Sequence, residues 1–548
     1  MNERYLQIFQ NGMKDQLEEL TLDEMVLYIR NHIHSFLMDE TISFCFIERL
    51  ANDPETIRNQ KASAALLYLL DKAVQMRPFR PGLLAAVENL TRNPHITQRI
   101  GFMKEHNQSM EIYDQISALN LKTDAEDARN FITQLIQAHP SHITAAQFAL
   151  HVDRQLGITQ GEWREAFTCP PALRRDWEVA LFQHHAGMKD YGRAMELWDK
   201  LKKPNLRETT LNFAAEMFVE QGDKEQALEL YRASLAQDPR QTPIRLRIRE
   251  LENPFVPDTA LLNSCEFSIC VYSWNKADML GQTLESLATT DLGKAKIHIL
   301  LNGCTDHSRE EVDRVLPLFK NNEVKLHELH VNIGAPAARN WLMHLPEVQE
   351  GKYIAFIDDD VVLQKDWLAQ FLTIAEADDQ VAVVGCKIVH PQTPSPFQYL
   401  YRHVALATHG LLKLSIPAPP DQYDNGVYDV IRETRSVMGC QHLLRTSAVN
   451  KIPAGFDIRF SPSQVDDMDH DMALCLEGYK VMYCGTVTCQ HHQGSGISLI
   501  YAQEWNASRT GNAMGNDIKF FFKHFDHMER MQALDSLSLG EDVPLPDF

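Results

Sequence analysis

The sequence predicts a two-part protein, in which an all-helical N-terminal half precedes an α/β domain built on a mostly parallel sheet. Throughout roughly the first 250 residues, apolar positions recur at helical spacing without the alternation of a strand. A helix-breaking stretch, Asn-Pro-Phe-Val-Pro-Asp, occupies residues 253–258. Beyond it, short β-rich runs alternate with helical stretches, which is the pattern of strand–helix–strand units with both sheet faces covered.

The composition is that of a globular protein, with 548 residues, 44% hydrophobic and 23% charged. Acidic residues outnumber basic ones by 74 to 53, which gives a net charge of −21 and argues against nucleic-acid binding through a general basic surface. The ten cysteines form no Cys-x-x-Cys pair, so we expect free thiols in a reducing cytoplasm. No signal-peptide pattern and no membrane-span-length apolar stretch is visible, so the expected location is cytoplasmic, without a membrane span.

One stretch of the helical half carries a more specific pattern. Residues 211–239 combine a turn with small and aromatic positions, namely Phe218, Gly222, Asp223, Ala227 and Tyr231. This pattern is similar to a tetratricopeptide repeat, and Ala194 and Trp198 stand one period of about 34 residues earlier. The sequence thus predicts a repeat-like helical domain, and an ordinary helical bundle is the alternative.

The α/β half begins with a run of predicted strands and helices. Strands are expected at Phe267–Tyr272, Ile297–Leu301, Val324–Leu329 and Tyr353–Ile357, and helices at Asp278–Leu287 and Ala335–Met343. Asp278 is the predicted N-cap of the first of these helices. Ligands of such sheets bind beyond the carboxyl ends of the strands, so the informative side chains should follow the strands.

Three consecutive carboxylates, Asp358, Asp359 and Asp360, follow the fourth predicted strand directly. Such a group costs stability unless a cation is present. In an extended segment Asp358 and Asp360 lie on one side and Asp359 on the other. The pattern favours a hard divalent cation with positions left open for phosphate oxygens, and a solvated acidic turn is the alternative.

A second acidic cluster lies further along the chain, where Asp457, Asp466, Asp467 and Asp469 precede an amphipathic helix. A helix start needs only one carboxylate as a cap, so the cluster exceeds that need. Mutual repulsion can raise the pKa of one member and suit it for proton abstraction. After a strand-like run come His491 and His492, for which metal ligation and a purely structural role are both open.

Taken in order, these segments resemble the family-2 glycosyltransferases of GT-A fold. The matching segments are Ser268–Lys276 (opening strand and nucleotide loop), Leu280–Leu287 (first helix), Asn302–Asp306 (second-strand turn), Asn332–Asn340 (Gly/Ala/Arg/Asn segment), 358–360 (Asp-x-Asp motif) and 455–479 (acceptor-side Glu-Asp region). The match departs from the family at Asn302, which follows Leu301 where an acidic residue is usual, and at Asp466, which replaces the usual Glu.

The resemblance implies an inverting, metal-dependent glycosyltransferase that moves a hexosyl or N-acetylhexosaminyl group from a nucleotide-diphosphate sugar, with UDP the expected nucleotide, to a hydroxyl of a protein or glycan. It implies Mn²⁺ or Mg²⁺ as the cofactor, Asp467 as the base and Asp466 beside it as a second catalytic residue. The implied metal ligands are Asp358, Asp360, His491 and His492. The implied donor-binding residues are Tyr272, Ser273, Asn275, Asn302, Arg339, Asp358 and Asp359.

The expected domain bounds are 1–252 for the helical domain, 253–263 for the linker, 264–500 for the GT-A domain and 501–548 for a C-terminal helical segment and tail. Concave surfaces of stacked helix pairs suit a protein acceptor or self-association. Residues 390–435 are expected to form part of an acceptor-side loop. Two other functions stay open: a repeat scaffold with a non-catalytic sugar-nucleotide domain, and a nucleotidyltransferase, which needs a Gly-rich loop that residues 272–276 lack.

Overall fold

The computed structural model describes residues 17–106, 115–116, 125–201, 205–407, 412–492, 507–537 and 548. The N-terminal part is all-helical, as the periodicity predicted. Its helices are α1 (Leu22–Ser35), α2 (Glu40–Ala51), α3 (Gln60–Met76), α4 (Pro81–Thr91), α5 (Pro94–His106), α6 (Ala125–Ala138), α7 (Ile143–Gln155), α8 (Trp163–Ala166), α9 (Arg174–Gly187), α10 (Tyr191–Lys200), α11 (Glu208–Glu220), α12 (Lys224–Gln237) and α13 (Thr242–Glu252). The segment 253–258 contains no helix or strand, and the linker 253–263 stays a prediction.

Asp and Asn side chains start several of these helices by accepting a hydrogen bond from the backbone three residues on. Asp39 accepts from Ile42 N and Asn59 from Ala62 N, at 2.9 and 3.0 Å. Asp190 and Asp223, 33 residues apart, begin α10 and α12 in the same way. The two helix pairs α9–α10 and α11–α12 therefore occur where the repeat pattern was indexed, while their membership in the tetratricopeptide class stays a prediction.

The α/β part contains one large mixed sheet. Its strands are β1 (Phe267–Ser273), β2 (Lys296–Asn302), β3 (Glu323–Leu329), β4 (Tyr353–Ile357), β5 (Val361–Val362), β6 (Val381–Val389), β7 (Phe397–Tyr399), β10 (Ile431–Thr434), β11 (Gln441–Arg445) and β12 (Lys480–His491), with β8 (Val404–Ala407) and β9 (Leu412–Leu414) as a separate hairpin. The main order is β10-β12-β6-β11-β4-β1-β2-β3, with β5 beside β12 and β7 beside β6. The half around β1 is parallel as predicted, whereas β11 is antiparallel to both of its neighbours.

Helices connect and cover these strands. They are α14 (Leu261–Ser264), α15 (Ala277–Ala288), α16 (Ser308–Val315), α17 (Ala335–Met343), α18 (Pro346–Gln349), α19 (Trp367–Ala377), α20 (Thr446–Val449), α21 (Asp466–Leu476), α22 (Ala507–His524) and α23 (Met528–Leu537). The cap predicted for α15 was wrong, because Asp278 lies inside its first turn and makes no cap bond. Asp306, from the turn after β2, accepts from Ala277 N at 3.0 Å instead. A neighbouring loop thus supplies the cap that local spacing assigned to Asp278.

The two parts share buried surface. Phe36 at the end of α1 stacks on Tyr401, with ring centroids 5.0 Å apart and planes 13° apart. Tyr401 Oη donates to Ser35 O at 2.6 Å, and Leu37 N donates to Tyr428 Oη at 3.1 Å. One apolar cluster runs from the helical part through these rings into the sheet. Much of the segment 390–435 therefore packs on the helical part.

No helix among the described residues has both the length and the apolar character needed to cross a bilayer.

Candidate active site

The site forms where β1 and β4, parallel neighbours in the sheet, end side by side. Because the carboxyl ends of parallel strands meet at one edge, Tyr272 and Ser273 at the end of β1 face the carboxylates that follow β4. Tyr272 Oη donates to Asp358 Oδ1 at 2.8 Å, and Ser273 Oγ donates to Asp359 Oδ2 at 2.6 Å. The parallel pairing of β1 with β4 therefore positions the acidic motif against the opening loop.

Three side chains that could hold a metal ion converge here. Asp358, Asp360 and His491 each offer a ligand atom, and these atoms lie within 4.8 Å of one another. His491 is at the end of β12, which pairs with the short strand β5 just after Asp360. Its Nε2 lies 2.9 Å from Asp360 Oδ1. Two carboxylates and an imidazole form a donor set that fits a divalent cation such as Mn²⁺.

The second ring nitrogen of His491, Nδ1, contacts Gln398 of β7, whose side-chain amide lies 3.0 Å away. A partner on the second ring nitrogen fixes the orientation of a ligating imidazole. His492, in contrast, is exposed and lies outside the group, and its backbone N–H donates to Asp360 O at 2.9 Å. The structure therefore brings one of the two adjacent histidines to the carboxylates.

A lysine ammonium bridges the acidic motif. Lys276 Nζ lies 3.1 Å from Asp359 Oδ1 and 2.8 Å from Asp360 Oδ2, and its side chain is 25% exposed. Burial raises the pKa of Asp359 to about 6 although Lys276 opposes this. Burial acts in the same direction on Asp360, but His491 and Lys276 outweigh it and hold the pKa of that carboxyl well below its usual range. Asp359 and Asp360 thus share the ammonium of Lys276, although strand alternation predicted that their side chains lie on opposite sides of the chain.

Arg339 of α17 connects the two acidic clusters. It is buried, and its Nη1 donates to Asp466 Oδ2 at 2.5 Å while its Nη2 lies 3.4 Å from Asp358 Oδ1. Its guanidinium stands 5.3 Å from the ring centroid of Tyr272 and 5.2 Å from that of Phe456, within cation–π range. A rigid guanidinium fork therefore holds the metal-side carboxylate and the start of α21 in one arrangement.

Asp466 and Asp467 have different surroundings. Asp466 is buried, and burial raises its pKa to about 6 against the opposing charge of Arg339, with Asp467 adding to the rise. Asp467 is half-buried, and its Oδ2 accepts from Gly439 N at 2.8 Å. Asp467 is therefore the member of the pair that remains reachable, whereas Asp466 is committed to Arg339.

The remaining acids of the second cluster are bound to basic side chains of the C-terminal part and the adjoining loop. Asp469 Oδ2 accepts from Lys523 Nζ at 2.6 Å, and its Oδ1 lies 2.8 Å from His524 Nε2. Asp457 pairs with Lys523 at 2.9 Å and with Arg459 at 2.5 Å. The cluster that looked mutually repulsive in the sequence is thus paired with basic side chains, and Lys523 is shared by Asp457 and Asp469.

Two other predicted donor residues connect loops at the same sheet edge. Asn275, with φ of 52°, accepts from Thr305 N at 2.7 Å. Asn302 is buried, donates to Asn332 Oδ1 at 2.9 Å and accepts from Ile333 N at 3.0 Å. Trp274, next to Asn275 in the loop after β1, is 52% exposed. The two asparagines thus fix loops at this edge, beside an exposed aromatic side chain.

Sequence reasoning missed Lys276, Gln398 and Trp274 as site residues. Lys276 and Trp274 both stand in the opening loop that the motif match had singled out, so their position was the available signal. Gln398 had no local signal, because its contact with His491 spans 93 residues and depends on β7 pairing with β6.

Comparison with known proteins agrees with this architecture. Residues 268–452 match the family model described as Glycosyl transferase family 2. The sequence of residues 268–452, about a third of the chain, therefore matches this family, and the mixed sheet has the GT-A architecture that the motif order predicted.

Similar proteins include the succinoglycan biosynthesis protein ExoM of Rhizobium meliloti (strain 1021), 27% identical over 134 residues, which are 24% of this chain and 41% of that protein. The glucosyl-dolichyl phosphate glucuronosyltransferase of Haloferax volcanii is 27% identical over 122 residues, 22% of this chain and 37% of that protein. The chain thus spans about two fifths of the length of these curated relatives. Among solved structures, the mannosyltransferase PcManGT from Pyrobaculum calidifontis, in complex with GDP-Man and Mn²⁺, is 15% identical, with a TM-score of 0.34 over 58% of this chain and 93% of that one.

Proposed function

We propose that the protein is an inverting glycosyltransferase that moves a sugar from a nucleotide-diphosphate sugar to a hydroxyl of a protein or glycan acceptor. One observation carries the proposal: Arg339 joins the Asp358–Asp360–His491 group to a helix start on which Asp467 remains reachable. A cation site for a diphosphate and a separate carboxylate for a proton are the two parts that such a transfer needs. The relatives named above are glycosyltransferases or glycan-biosynthesis proteins by description, which supports the same class.

Asp358, Asp360 and His491 are proposed to hold a divalent cation. Mg²⁺ takes oxygen ligands almost exclusively, so the imidazole favours Mn²⁺ over Mg²⁺. When bound, the cation would neutralise the negative charge that develops on the departing diphosphate. Gln398 is proposed to keep His491 oriented, since it contacts the ring nitrogen that faces away from Asp360.

The donor is proposed to lie along the edge formed by the loops after β1 and β2. Trp274 offers an exposed aromatic face for a nucleotide base, and Asn275 and Asn302 hold the loops that border it. UDP stays the expected nucleotide. Tyr272, Ser273 and Arg339 then act on the donor through the acidic motif that they orient, because their polar groups contact Asp358 and Asp359.

Asp467 is proposed as the general base. Its carboxylate takes the proton of the acceptor hydroxyl as the hydroxyl oxygen bonds to the anomeric carbon. The bond from that carbon to the diphosphate oxygen breaks, and its electron pair leaves with the nucleotide diphosphate. Attack opposite the leaving group inverts the configuration, so no enzyme nucleophile is required. Gly439 N, which donates to Asp467 Oδ2, fixes the direction of the carboxylate.

Incubation with a panel of sugar nucleotides, with Mn²⁺, with Mg²⁺ or with chelator, tests the proposal through release of the nucleotide diphosphate. We expect release from one class of donor, faster with Mn²⁺ than with Mg²⁺ and absent with chelator. Tight donor binding without any release, even to water, would instead favour the scaffold function.

Lys276→Met is predicted to bind Mn²⁺ more tightly than wild type when no nucleotide is present. The Lys276 ammonium neutralises Asp359 and Asp360, so its removal leaves more negative charge for the ion. At the partial exposure of this side chain we expect a gain of roughly tenfold. Calorimetric titration with MnCl₂ measures it, and Lys276→Arg, which keeps the charge, is the matched control. Equal affinities of Lys276→Met and wild type would show that the ammonium does not compete with the metal.

A further inference from the structure

The C-terminal helix α22 contacts the loop that leads into α21 through one buried amide. Asn516 is 1% exposed, and its Nδ2 donates to the carbonyl oxygens of Phe460, Ser463 and Gln464, each at 3.0 Å. An amide nitrogen has two hydrogens, so three acceptors at this distance share its full donor capacity. Asn516 therefore holds this loop at three points.

The held loop has an unfavourable backbone conformation. Gln464 and Val465 have φ angles of 79° and 72°, in the left-handed region that non-glycine residues rarely adopt. For a β-branched residue such as Val465 this is a genuine outlier, which persists only where surrounding contacts impose it. Val465 is the residue before α21, and Asp466 and Asp467 follow it directly.

Other contacts of α22 hold the two ends of the same region. Lys523 reaches Asp457 at 2.9 Å, before the loop, and Asp469 at 2.6 Å, within α21. The loop also contacts α17, the helix that carries Arg339, because Pro462 O accepts a hydrogen bond from Ala335 N at the start of that helix. The hydrogen bonds of Asn516 thus lie between the two ion pairs of Lys523. They hold the segment in which Gln464 and Val465 have positive φ angles.

We infer that Asn516 is a positioning residue for the candidate base: its amide holds residues 460–465 in the left-handed path that aims Asp467 at the acceptor. This inference rests on the proposed function, because it assigns Asn516 an effect on catalysis through Asp467. Loss of the amide lets Gln464 and Val465 relax, which turns Asp467 away from Gly439 N.

Asn516→Ala is expected to lower kcat for nucleotide diphosphate release by about 10- to 100-fold. Its affinity for UDP with Mn²⁺ is expected to stay within about twofold of wild type, because the metal group and the β1 loop are untouched. Asn516→Leu, which has as many side-chain heavy atoms as Asn but no donor, separates loss of the hydrogen bonds from loss of packing and is expected to behave like Asn516→Ala.

Val465→Gly provides the rescue arm, since glycine adopts positive φ without strain. We expect Val465→Gly/Asn516→Ala to regain at least about tenfold in kcat over Asn516→Ala. Wild-type kcat in both Asn516 variants, or a double variant no faster than Asn516→Ala, would overturn the inference. An equal fall in UDP affinity and kcat would also overturn it, because a general structural role predicts that pattern. If Asp467→Asn has wild-type kcat, the proposed function loses its base. If Asp467→Asn is slow but the Asn516 variants have wild-type kcat, only the inference about Asn516 is wrong.

Discussion

Asp467→Asn is expected to transfer sugar 10²–10⁴ times more slowly than wild type, the usual cost of removing a positioned base, while binding the donor normally. The substitution keeps the shape of the side chain and its acceptor for Gly439 N, and it removes the group that takes the proton. The proposed metal ligands are on other elements, after β4 and at the end of β12, so donor affinity should not change. Steady-state release of nucleotide diphosphate, with calorimetry of donor binding, measures both quantities.

Glu477→Gln is the matched control, because Glu477 is an exposed carboxylate just beyond the other end of α21. It should have wild-type rates. Asp466→Asn should differ from both, because it weakens a buried ion pair with Arg339 and is expected to lower the free energy of unfolding as well as the rate. A wild-type rate in Asp467→Asn would remove Asp467 from the mechanism.

Asp360→Asn is expected to abolish metal-dependent nucleotide binding. Asp360 is 3% exposed, and it is the carboxylate that contacts both His491 and Lys276, so the change removes one proposed metal ligand and the partner of another. Calorimetry with UDP, with and without Mn²⁺, should show a Mn²⁺-dependent gain in wild type and none in the variant. Circular dichroism and thermal unfolding check that the variant remains folded.

The control for this experiment is Asp278→Asn, which changes a carboxylate whose side chain is 83% exposed on α15, a helix that begins just after Lys276. It should retain the full Mn²⁺ effect. Should Asp360→Asn and wild type gain the same UDP affinity from Mn²⁺, the metal group would have to be placed elsewhere.

The metal-side residues could be predicted from the sequence because their signal is local. Three carboxylates directly follow a buried strand. Asp358 and Asp360 therefore lie at the carboxyl end of that strand, whichever position the strand takes in the sheet. The choice between His491 and His492 could not be predicted in the same way. Successive residues of a strand face opposite sides, and the side that meets Asp360 depends on β12 pairing with β5, about 130 residues away in the chain.

The division of labour within the second cluster also depended on distant contacts. Asp466 and Asp467 are equivalent as sequence neighbours, and they differ because Arg339, 127 residues earlier, reaches Asp466 while Gly439 N donates to Asp467. Likewise the acidic repulsion expected around Asp469 is relieved by Lys523 and His524 of α22. Local spacing predicts that carboxylates gather at this helix start, and tertiary contacts decide which one remains reachable.

The packing of the helical half on the α/β half had no sequence signal either. The contacts of Phe36 and Ser35 with Tyr401 join residues more than 360 positions apart. They bring Tyr401, within the segment 390–435 expected as an acceptor-side loop, into the shared core, while Gln398 of the same segment reaches the candidate metal group. The acceptor role of this segment therefore stays a prediction.

The stereochemistry of transfer tests the central claim most directly. With the donor identified by the panel and Mn²⁺ present, proton NMR of the earliest product gives the configuration at the anomeric carbon. The account predicts a single inversion relative to the donor in wild type and, over the same time, about a hundredth or less of that product in Asp467→Asn. Retention of configuration in wild type would contradict it, because retention requires chemistry other than the direct attack assisted by Asp467.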